Sequence, residues 1–166
     1  MRFRCLGLPS DTAARWRATG RDDRGNALIA RVADGPGSAP CRHCLRYAEP
    51  GEAMLLGSFD LPRPHGIYWT PSPVFLHAHD CPRFEAEGVV APTATGPDTI
   101  VSVRSYDAAG MCLYDLGQVC RGPEVEAPLL RALADARTAF VNIHTARPGC
   151  WLATAERLDA PRAELP

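Results

Sequence analysis

The sequence predicts an α+β fold, a single domain with a mainly antiparallel sheet and about two helices. Many short apolar runs are separated by turns rich in Gly and Pro, which is typical of short antiparallel strands. Two such runs, residues 99–106 and 111–119, flank a short segment that ends in Gly110 and together predict a hairpin. The two helical patterns lie near the start and late in the chain, so the strand-helix alternation of a parallel sheet is missing.

The first half of the chain is predicted to contain one helix between short strands. Ser10 or Asp11 can cap this helix and Gly20 can end it. Residues 60–72 are rich in Pro and lack periodicity, which predicts a surface loop. Strands are predicted for residues 3–6, 27–32, 52–59 and 73–81.

The second half of the chain contains the best helix pattern, over residues 123–137. Leu129, Leu130 and Leu133 fall on one apolar stripe of that helix. Pro128 is tolerable only if the helix begins close to it, because an internal proline removes a backbone hydrogen bond. Further strands are predicted for residues 139–144 and 150–155, and a turn-rich connection for residues 82–98.

Length and composition indicate one globular domain over residues 1–166, with a flexible tail at 158–166. A chain of 166 residues with 46% hydrophobic residues can bury a sizeable core. The net charge of −1, with no block of like charge, argues against nucleic acid as a partner. No apolar run approaches the ~18 residues of a membrane span, and the N-terminus lacks a secretory signal. The expected location is the cytoplasm, the expected partner is a small-molecule ligand, and a homodimer is also considered.

The basic residues exclude several chemistries. All 18 are Arg, so no lysine Schiff base, lysine general base or Walker-type lysine exists in this chain. The sequence also lacks Gly-x-Ser-x-Gly, Gly-x-Gly-x-x-Gly and His-Glu-x-x-His. Serine hydrolases of the elbow type, dinucleotide-binding folds and common zinc proteases are therefore disfavoured.

The seven cysteines and two closely spaced histidines suggest a metal site. On a strand, His77, His79 and Cys81 would share one face, because alternate side chains point the same way. Cys81 would still lie too far from His77 for both to bind one ion unless the chain turns at residues 80–82. Cys41-x-x-Cys44 is a second metal-compatible pair, and zinc is the cofactor considered. The alternative is surface histidines beside a buried thiol.

A polar face is predicted on two strands. Ser102, Arg104 and Tyr106 alternate with valines in one strand, and Asn142 and His144 alternate with aliphatic residues in another. If these strands are neighbours, the polar side chains line one concave surface, where Arg can bind a carboxylate or phosphate and His can exchange protons. The alternative is a solvent-facing sheet surface, which antiparallel sheets commonly have.

Two cysteines are candidates for a nucleophile. Cys41 follows a loop rich in Gly and Pro, and Cys150 follows Pro148-Gly149. A loop-borne thiol beside an Arg or a protonated His has a lowered pKa and is reactive. For the remaining cysteines Cys5, Cys112 and Cys120, buried and inert thiols are expected.

Several segments resemble a known family. They are Pro40-Cys41-Arg42, Glu49-Pro50-Gly51-Glu52, residues 72–77, residues 103–107 and residues 144–150. In this order they resemble the bacterial family catalogued as domain of unknown function 1203, over about residues 25–157. The resemblance implies a stand-alone soluble protein and brings no established activity. The positions that it implies are Cys41, Arg42, Glu52, His77, Arg104, Tyr106, His144, Gly149 and Cys150.

Two functional hypotheses follow. In the first, the chain is an enzyme acting on a small anionic or electrophilic metabolite. Its catalytic residues are then Cys41, His144, Arg104 and Cys150, and its substrate-binding residues Arg104, Tyr106, Asn142 and Arg42. In the second, it is a non-catalytic module that binds zinc or another small ligand. The predicted metal ligands are His77, His79, Cys81 and Cys44, with Cys41 as a further donor.

Overall fold

The structure is a computed structural model that describes residues 2–158. Within this range the chain forms nine strands and two α-helices, joined by short 3-10 turns. The strands are β1 Phe3–Leu6, β2 Ile29–Val32, β3 Ala53–Asp60, β4 Pro71–His77, β5 Glu85–Glu87, β6 Ile100–Tyr106, β7 Gln118–Arg121, β8 Phe140–Thr145 and β9 Trp151–Arg157. The helices are α1 Ser10–Thr19 and α2 Glu126–Ala134.

The strands form two antiparallel sheets. The larger has six strands in the order β5-β1-β9-β8-β6-β7, and the smaller has three in the order β2-β3-β4. Every neighbouring pair of named strands runs antiparallel. The predicted α+β class with a mainly antiparallel sheet and two helices is confirmed.

Two hydrophobic clusters hold these layers together. In the first, α2 packs through Leu129 and Leu133 on one face of the six-stranded sheet, against residues such as Val103 and Ile143. The second cluster joins Trp16 of α1 to the three-stranded sheet and to Trp151. Each fully buried aliphatic side chain contributes about 1.5–3 kcal/mol, so these clusters supply the main driving force of folding.

The face of the six-stranded sheet opposite α2 is covered in part by residues 61–70. Asn142 on β8 donates from Nδ2 to the carbonyl oxygen of Arg63 at 3.1 Å. Arg63 also forms an ion pair of 2.8 Å with Glu156 on β9. Asn142 and His144 are buried as a result. The alternative interpretation of this polar face as a solvent-facing sheet surface is therefore wrong for these two residues.

Some predicted elements differ in extent from the observed ones. Strand β4 ends at His77, so His79 and Cys81 do not continue it, contrary to the prediction for residues 73–81. Helix α1 begins at Ser10 with Pro9 at the N-cap position, and ends as predicted at Gly20 with φ 66°. Pro128 lies in the first turn of α2, where its missing N–H costs no helical hydrogen bond.

The segment predicted to be turn-rich contains the short strand β5, which pairs with β1. The hairpin of β6 and β7 is present, but β7 begins only at Gln118, after a 3-10 turn at Tyr114–Leu116. No helix of the described residues is long and apolar enough to cross a membrane. The predicted flexible tail, apart from Leu158, lies outside the described residues.

Candidate metal centre and neighbouring cleft

The Cys-x-x-Cys pair lies in a tight hairpin-like loop formed by residues 39–48. Its base is closed by hydrogen bonds from Ala48 N to Ala39 O at 3.0 Å and from Cys41 N to Arg46 O at 2.9 Å. Leu45 has a φ of 53° and is the one non-glycine residue with a positive φ among residues 2–158. Such a backbone is uncommon for a bulky residue, and here it accompanies the tight turn that carries Cys41 and Cys44.

This loop docks on the end of β4. The Arg42 amide donates to the carbonyl oxygen of Phe75 at 2.8 Å, and the His77 amide donates to Cys41 Sγ at 3.4 Å. The strand ends here, and the chain bends at Ala78 and His79. The loop and the strand end therefore present Cys41, Cys44 and His77 to one another.

Arg17 of α1 holds the bend that returns Cys81 to the same place. Its Nε donates to the carbonyl oxygen of His77 at 3.1 Å, and its Nη1 pairs with Asp80 at 3.0 Å. Its Nη2 donates to Cys81 Sγ at 3.4 Å. His43 Nδ1 also lies 3.3 Å from that sulfur, while His43 Nε2 faces Ser10 Oγ at 3.1 Å. The chain therefore does turn as a shared site requires, but at Ala78 and His79 and not at residues 80–82.

Four buried donors meet at this point. The ligand atoms of Cys41, Cys44, His77 and Cys81 all lie within 4.8 Å of one another. Cys41 Sγ is 4.0 Å from Cys81 Sγ, and Cys44 Sγ is 3.4 Å from His77 Nδ1. All seven cysteines are free thiols. This cluster, called the thiol cluster below, can hold a metal ion.

The spacing of the thiol cluster matches a tetrahedral site. Zinc–sulfur bonds of about 2.3 Å and zinc–nitrogen bonds of about 2.0–2.1 Å give tetrahedral edges of roughly 3.8 Å between two sulfurs and roughly 3.6 Å between sulfur and nitrogen. The observed 4.0 Å and 3.4 Å lie close to these values. The other donor pairs lie within 4.8 Å, so the donors need to approach one another by at most about 1 Å to surround one ion.

The imidazole of His77 is placed between a thiol and a carboxylate. Its Nε2 is buried and makes no hydrogen bond, although it lies 3.4 Å from Glu52 Oε2. The other Glu52 oxygen lies 3.9 Å from His79 Nε2, and the two imidazoles stack with centroids 4.8 Å apart. His77 therefore offers Nδ1 to the thiol cluster, and a small rotation directs Nε2 to the carboxylate.

The surroundings of Cys41 favour its thiolate. A hydrogen bond from the Cys44 side chain lowers the pKa of Cys41 to about 4. Burial acts in the opposite direction, whereas the backbone amides of Cys44, His77 and His43 lower the pKa further. The hydrogen bond to Cys41 and burial raise the pKa of Cys44, and burial and the charge of Cys41 raise that of Cys81. Within the thiol cluster, Cys41 is thus the thiol whose surroundings most favour deprotonation.

His79 lies apart from the other predicted metal ligands. Its side chain is 50% exposed, and it belongs with Glu52 and His77 to a second group of donors at the surface. His77, Cys81 and Cys44 of the predicted metal set lie in the thiol cluster, together with Cys41. His79 lies outside it because β4 ends at His77, which breaks the alternation that the prediction assumed.

The predicted polar face lines a separate cleft. Strands β6 and β8 are neighbours, with Arg104 paired to Asn142 and Ser102 paired to His144. The side chains of Arg104, Tyr106, Asn142 and His144 all line a cleft of about 560 Å³, called the β6/β8 cleft below. Its other walls come from residues of the 61–70 segment and from the stretch between Cys112 and Val119, which includes Tyr114.

His144 stands at an irregularity of the sheet. The register with β9 shifts between Ile143 and His144, so that His144 pairs with Trp151. His144 Nδ1 lies 2.9 Å from the carbonyl oxygen of Gly149, whereas Nε2 is buried without a partner. Burial and the charges of Arg104 and Arg42 lower the pKa of His144 to about 4, although the Gly149 carbonyl acts in the opposite direction.

The predicted catalytic and substrate-binding residues are divided between these places. Arg104 and His144 line the cleft, Cys41 lies in the thiol cluster, and Cys150 is half-buried and lines neither. Arg42 is buried and donates to the backbone oxygens of Trp151 and Pro40, both at 2.6 Å. The roles assigned to these residues stay predictions.

The remaining cysteines differ from one another. Cys5 and Cys120 are buried as expected, and burial raises the pKa of Cys5 to about 12. Cys112 is only half-buried and lines the β6/β8 cleft, so the expectation of a fully buried thiol is wrong there. The reason is that its segment forms a single bridge to Tyr106 and not a strand.

Several residues of the two sites gave no recognisable signal in the sequence. Arg17 and His43 contact Cys81 only because α1 and the 39–48 loop fold against it. Tyr68 lies in the loop predicted for residues 60–72, and Tyr114 lies in the strand predicted for residues 111–119. Both side chains nevertheless line the cleft. Glu52 was part of the family resemblance, but its position beside His77 depends on the pairing of β3 with β4.

The comparisons with known proteins give one match. Residues 38–157 match the model of a family described as "Protein of unknown function (DUF1203)". No curated protein and no solved structure matches the chain. The matched range contains all four residues of the thiol cluster and both strands that form the floor of the β6/β8 cleft.

Proposed function

We propose that this chain, which belongs to the DUF1203 family, binds one zinc ion through Cys41, Cys44, His77 and Cys81 as a structural metal centre. The observation that carries the proposal is the convergence of four buried donor atoms, all within 4.8 Å of one another, from two separate segments of the chain. No local interaction explains that convergence, because Cys41 and Cys44 precede His77 and Cys81 by at least 33 residues in the sequence.

The type of donor favours zinc. Three thiols and one imidazole are soft or borderline ligands, and Cys3His is one of the usual ligand sets of structural zinc. Calcium and magnesium prefer oxygen ligands, and the thiol cluster offers none. The ligands also come in the usual order, with a closely spaced cysteine pair first and the remaining ligands later in the chain.

The burial of the thiol cluster supports a structural role. All four side chains are buried, so protein ligands would occupy every position of a tetrahedral ion. A catalytic zinc keeps a position open for water or substrate. A closed site instead contributes its binding energy to folding.

Charge balance around the thiol cluster is also suitable. Three thiolates and one divalent ion leave a net charge of −1, which is costly in a buried place unless a cation lies beside it. The guanidinium of Arg17 donates to Cys81 Sγ at 3.4 Å and so supplies that cation. The Arg17 side chain is itself only 15% exposed, which strengthens the interaction.

A second shell is present around the imidazole ligand. Metal-bound histidines usually donate their other ring N–H to a carboxylate or carbonyl oxygen. If Nδ1 of His77 holds the ion, its Nε2–H faces Glu52 Oε2 at 3.4 Å. Glu52 is fixed in turn by the Glu49 amide, which donates to the same oxygen at 2.7 Å. The buried nitrogen without a hydrogen bond is thereby accounted for.

The proposal takes Cys41 as a ligand and not as a nucleophile. Its side chain has no exposed surface, so an electrophile or a partner disulfide cannot reach the sulfur without local unfolding. The same burial disfavours a redox-active Cys-x-x-Cys pair, which needs an accessible thiolate. Reduced thiol ligands also require a reducing compartment, which supports the predicted cytoplasmic location.

The metal content of the purified protein tests the proposal. We expect about one zinc per chain by elemental analysis, and Cys81→Ala should lose most of it. After removal of zinc, cobalt should bind and produce the intense visible absorption of tetrahedral thiolate coordination. Wild-type protein that holds no zinc, and takes up neither zinc nor cobalt when reduced, would show that the proposal is wrong.

Two control variants separate the thiol cluster from other donors. His79→Ala removes a ligand of the surface group only and should leave the zinc content unchanged. Cys120→Ala removes a buried thiol on β7, outside the cluster, and should do the same. Zinc that survives Cys81→Ala but is lost with His79→Ala would transfer the site to Glu52, His77 and His79 and overturn the proposal.

A further inference from the structure

The β6/β8 cleft has the size of a small-molecule site and is independent of the thiol cluster. Its volume is about 560 Å³, within the range of roughly 300–1,000 Å³ that is usual for ligand pockets. Three of the exposed large hydrophobic side chains of the chain line it: Ile67, Tyr114 and Val119 are 82%, 75% and 63% exposed. An apolar rim of this kind is typical of a binding groove.

One charge in the cleft has no counter-charge. Arg104 is the sole cation of the lining, which includes no carboxylate among the residues that the structure describes. The ion pairs of these residues do not include Arg104, whose Nε donates to Ser102 Oγ at 3.3 Å. Burial raises the pKa of Tyr106, and the nearby Arg104 guanidinium opposes this. A guanidinium without a carboxylate partner is suited to bind the carboxylate of a ligand through two hydrogen bonds.

A second group in the cleft lacks a hydrogen-bond partner. A carbonyl oxygen can only accept, so the 2.9 Å contact with Gly149 O fixes the proton of His144 on Nδ1. Nε2 then carries a lone pair, and it is buried without a partner. His144 is 4% exposed, and a buried acceptor of this kind is costly unless a donor reaches it. A hydroxyl group of a ligand can supply that donor.

The remaining wall of the cleft is aromatic. Tyr68 lies with its ring centroid 6.4 Å from that of Tyr106 and 6.1 Å from that of Tyr114. The hydroxyls of Tyr68 and Tyr114 are 2.7 Å apart, which ties the 61–70 segment to the turn before β7. Three tyrosines together offer an apolar surface for a ring or a hydrocarbon chain.

From these groups we infer that the β6/β8 cleft binds a small hydroxycarboxylic acid with an apolar or aromatic body. The carboxylate lies on Arg104, the hydroxyl donates to His144 Nε2, and the body packs on the tyrosines. Arg104 and His144 are diagonal neighbours on adjacent strands, about 7–8 Å apart at Cα, which suits groups on adjacent or nearby carbon atoms. Asn142 takes a positioning role, because its amide already bonds Arg63 O and Thr154 Oγ1.

Binding of three matched compounds tests this inference. Mandelate carries both polar groups and a ring, phenylacetate lacks the hydroxyl, and mandelamide lacks the negative charge. In NMR titrations of the protein as purified, mandelate should shift the tyrosine signals of the cleft. Phenylacetate and mandelamide should each bind about tenfold or more weakly, because His144 or the half-buried Arg104 then stays unpaired.

Variants of the protein assign each polar group. Arg104→Met should abolish mandelate binding, whereas Arg121→Met, which removes an exposed arginine on β7, should not change it. His144→Asn preserves the donor toward Gly149 and removes Nε2, so it should make mandelate and phenylacetate bind equally. The inference is wrong if lactate, mandelate and 4-hydroxybenzoate all fail to bind at about 10 mM. It is equally wrong if Arg104→Met binds mandelate as well as the wild type.

Discussion

Replacing His144 by asparagine should remove about 2 kcal/mol of acid-induced destabilisation. The pKa of His144 is lowered from 6.5 to about 4 in the folded chain. Between these two pH values the unfolded chain binds a proton that the native chain does not, so stability is lost as the pH falls. At pH 5 the unfolded imidazole is almost fully protonated and the native one is largely neutral, which gives the stated magnitude by linkage. At pH 7 the contribution is close to zero.

Urea unfolding of both proteins at pH 7 and pH 5, under reducing conditions, measures this effect. The free energy of unfolding of the wild type should fall by about 2 kcal/mol more than that of His144→Asn between the two pH values, which corresponds to about 4–8 °C in Tm. The comparison cancels the contribution of other titrating groups, including the thiol cluster. Two cations face this imidazole, Arg104 from β6 and Arg42 from the 39–48 loop.

A control and an independent measurement complete the experiment. His65→Asn removes an exposed histidine and should leave the pH dependence of the wild type unchanged. Should His144→Asn fold poorly, an NMR titration of the wild-type imidazole gives the same information, with a midpoint near pH 4 expected. Equal losses of stability in both proteins, or a midpoint near 6.5, would refute the account of a buried neutral histidine.

Two further predictions concern the surroundings of the thiol cluster. Gly7→Ala should cost about 2–3 kcal/mol of stability, because its Cβ would collide with the carbonyl oxygen of His43 and approach that of Arg42 to 2.8 Å. In the control Gly35→Ala no atom lies near the added methyl group, so its free energy of unfolding should stay within about 0.5 kcal/mol of the wild type. Equal unfolding curves for the two variants would contradict the packing argument. Glu52→Gln should weaken the affinity for zinc about tenfold in a chelator competition. The control Glu49→Gln should leave this affinity unchanged. Equal affinities of the wild type and Glu52→Gln would show that Glu52 is not part of the second shell.

Most of the fold could be predicted because local patterns determine it. The alternation of apolar and polar residues in β6 and β8, and the leucine stripe of α2, are formed by residues close in sequence. Strand β5 escaped prediction because Glu85–Glu87 is short and polar. It is formed by pairing with β1, where Arg4 lies 3.3 Å from Glu85. Such a strand depends on its neighbour and leaves no periodic signal of its own.

The polar residues of the β6/β8 cleft could be grouped from the sequence because they alternate along two neighbouring strands, whereas the thiol cluster was predictable in composition only. Cys41, Cys44 and Cys81 were recognised as donors, yet the bend that unites them depends on Arg17, which lies on a distant helix. The same bend leaves His79 at the surface. Contacts made by tertiary packing have no counterpart in spacing, so a periodic pattern cannot reveal them.

The residue with the unusual backbone has a thermodynamic consequence. Leu45 follows the second cysteine of the loop, yet its fully buried side chain belongs to the hydrophobic cluster beneath α2, whereas Cys41 and Cys44 belong to the other cluster. The 39–48 loop thus connects the two hydrophobic clusters of the protein. If the proposed zinc ion is bound, its release should unfold both hydrophobic clusters in one cooperative transition, and amide exchange should become faster in β8 as well as in β4.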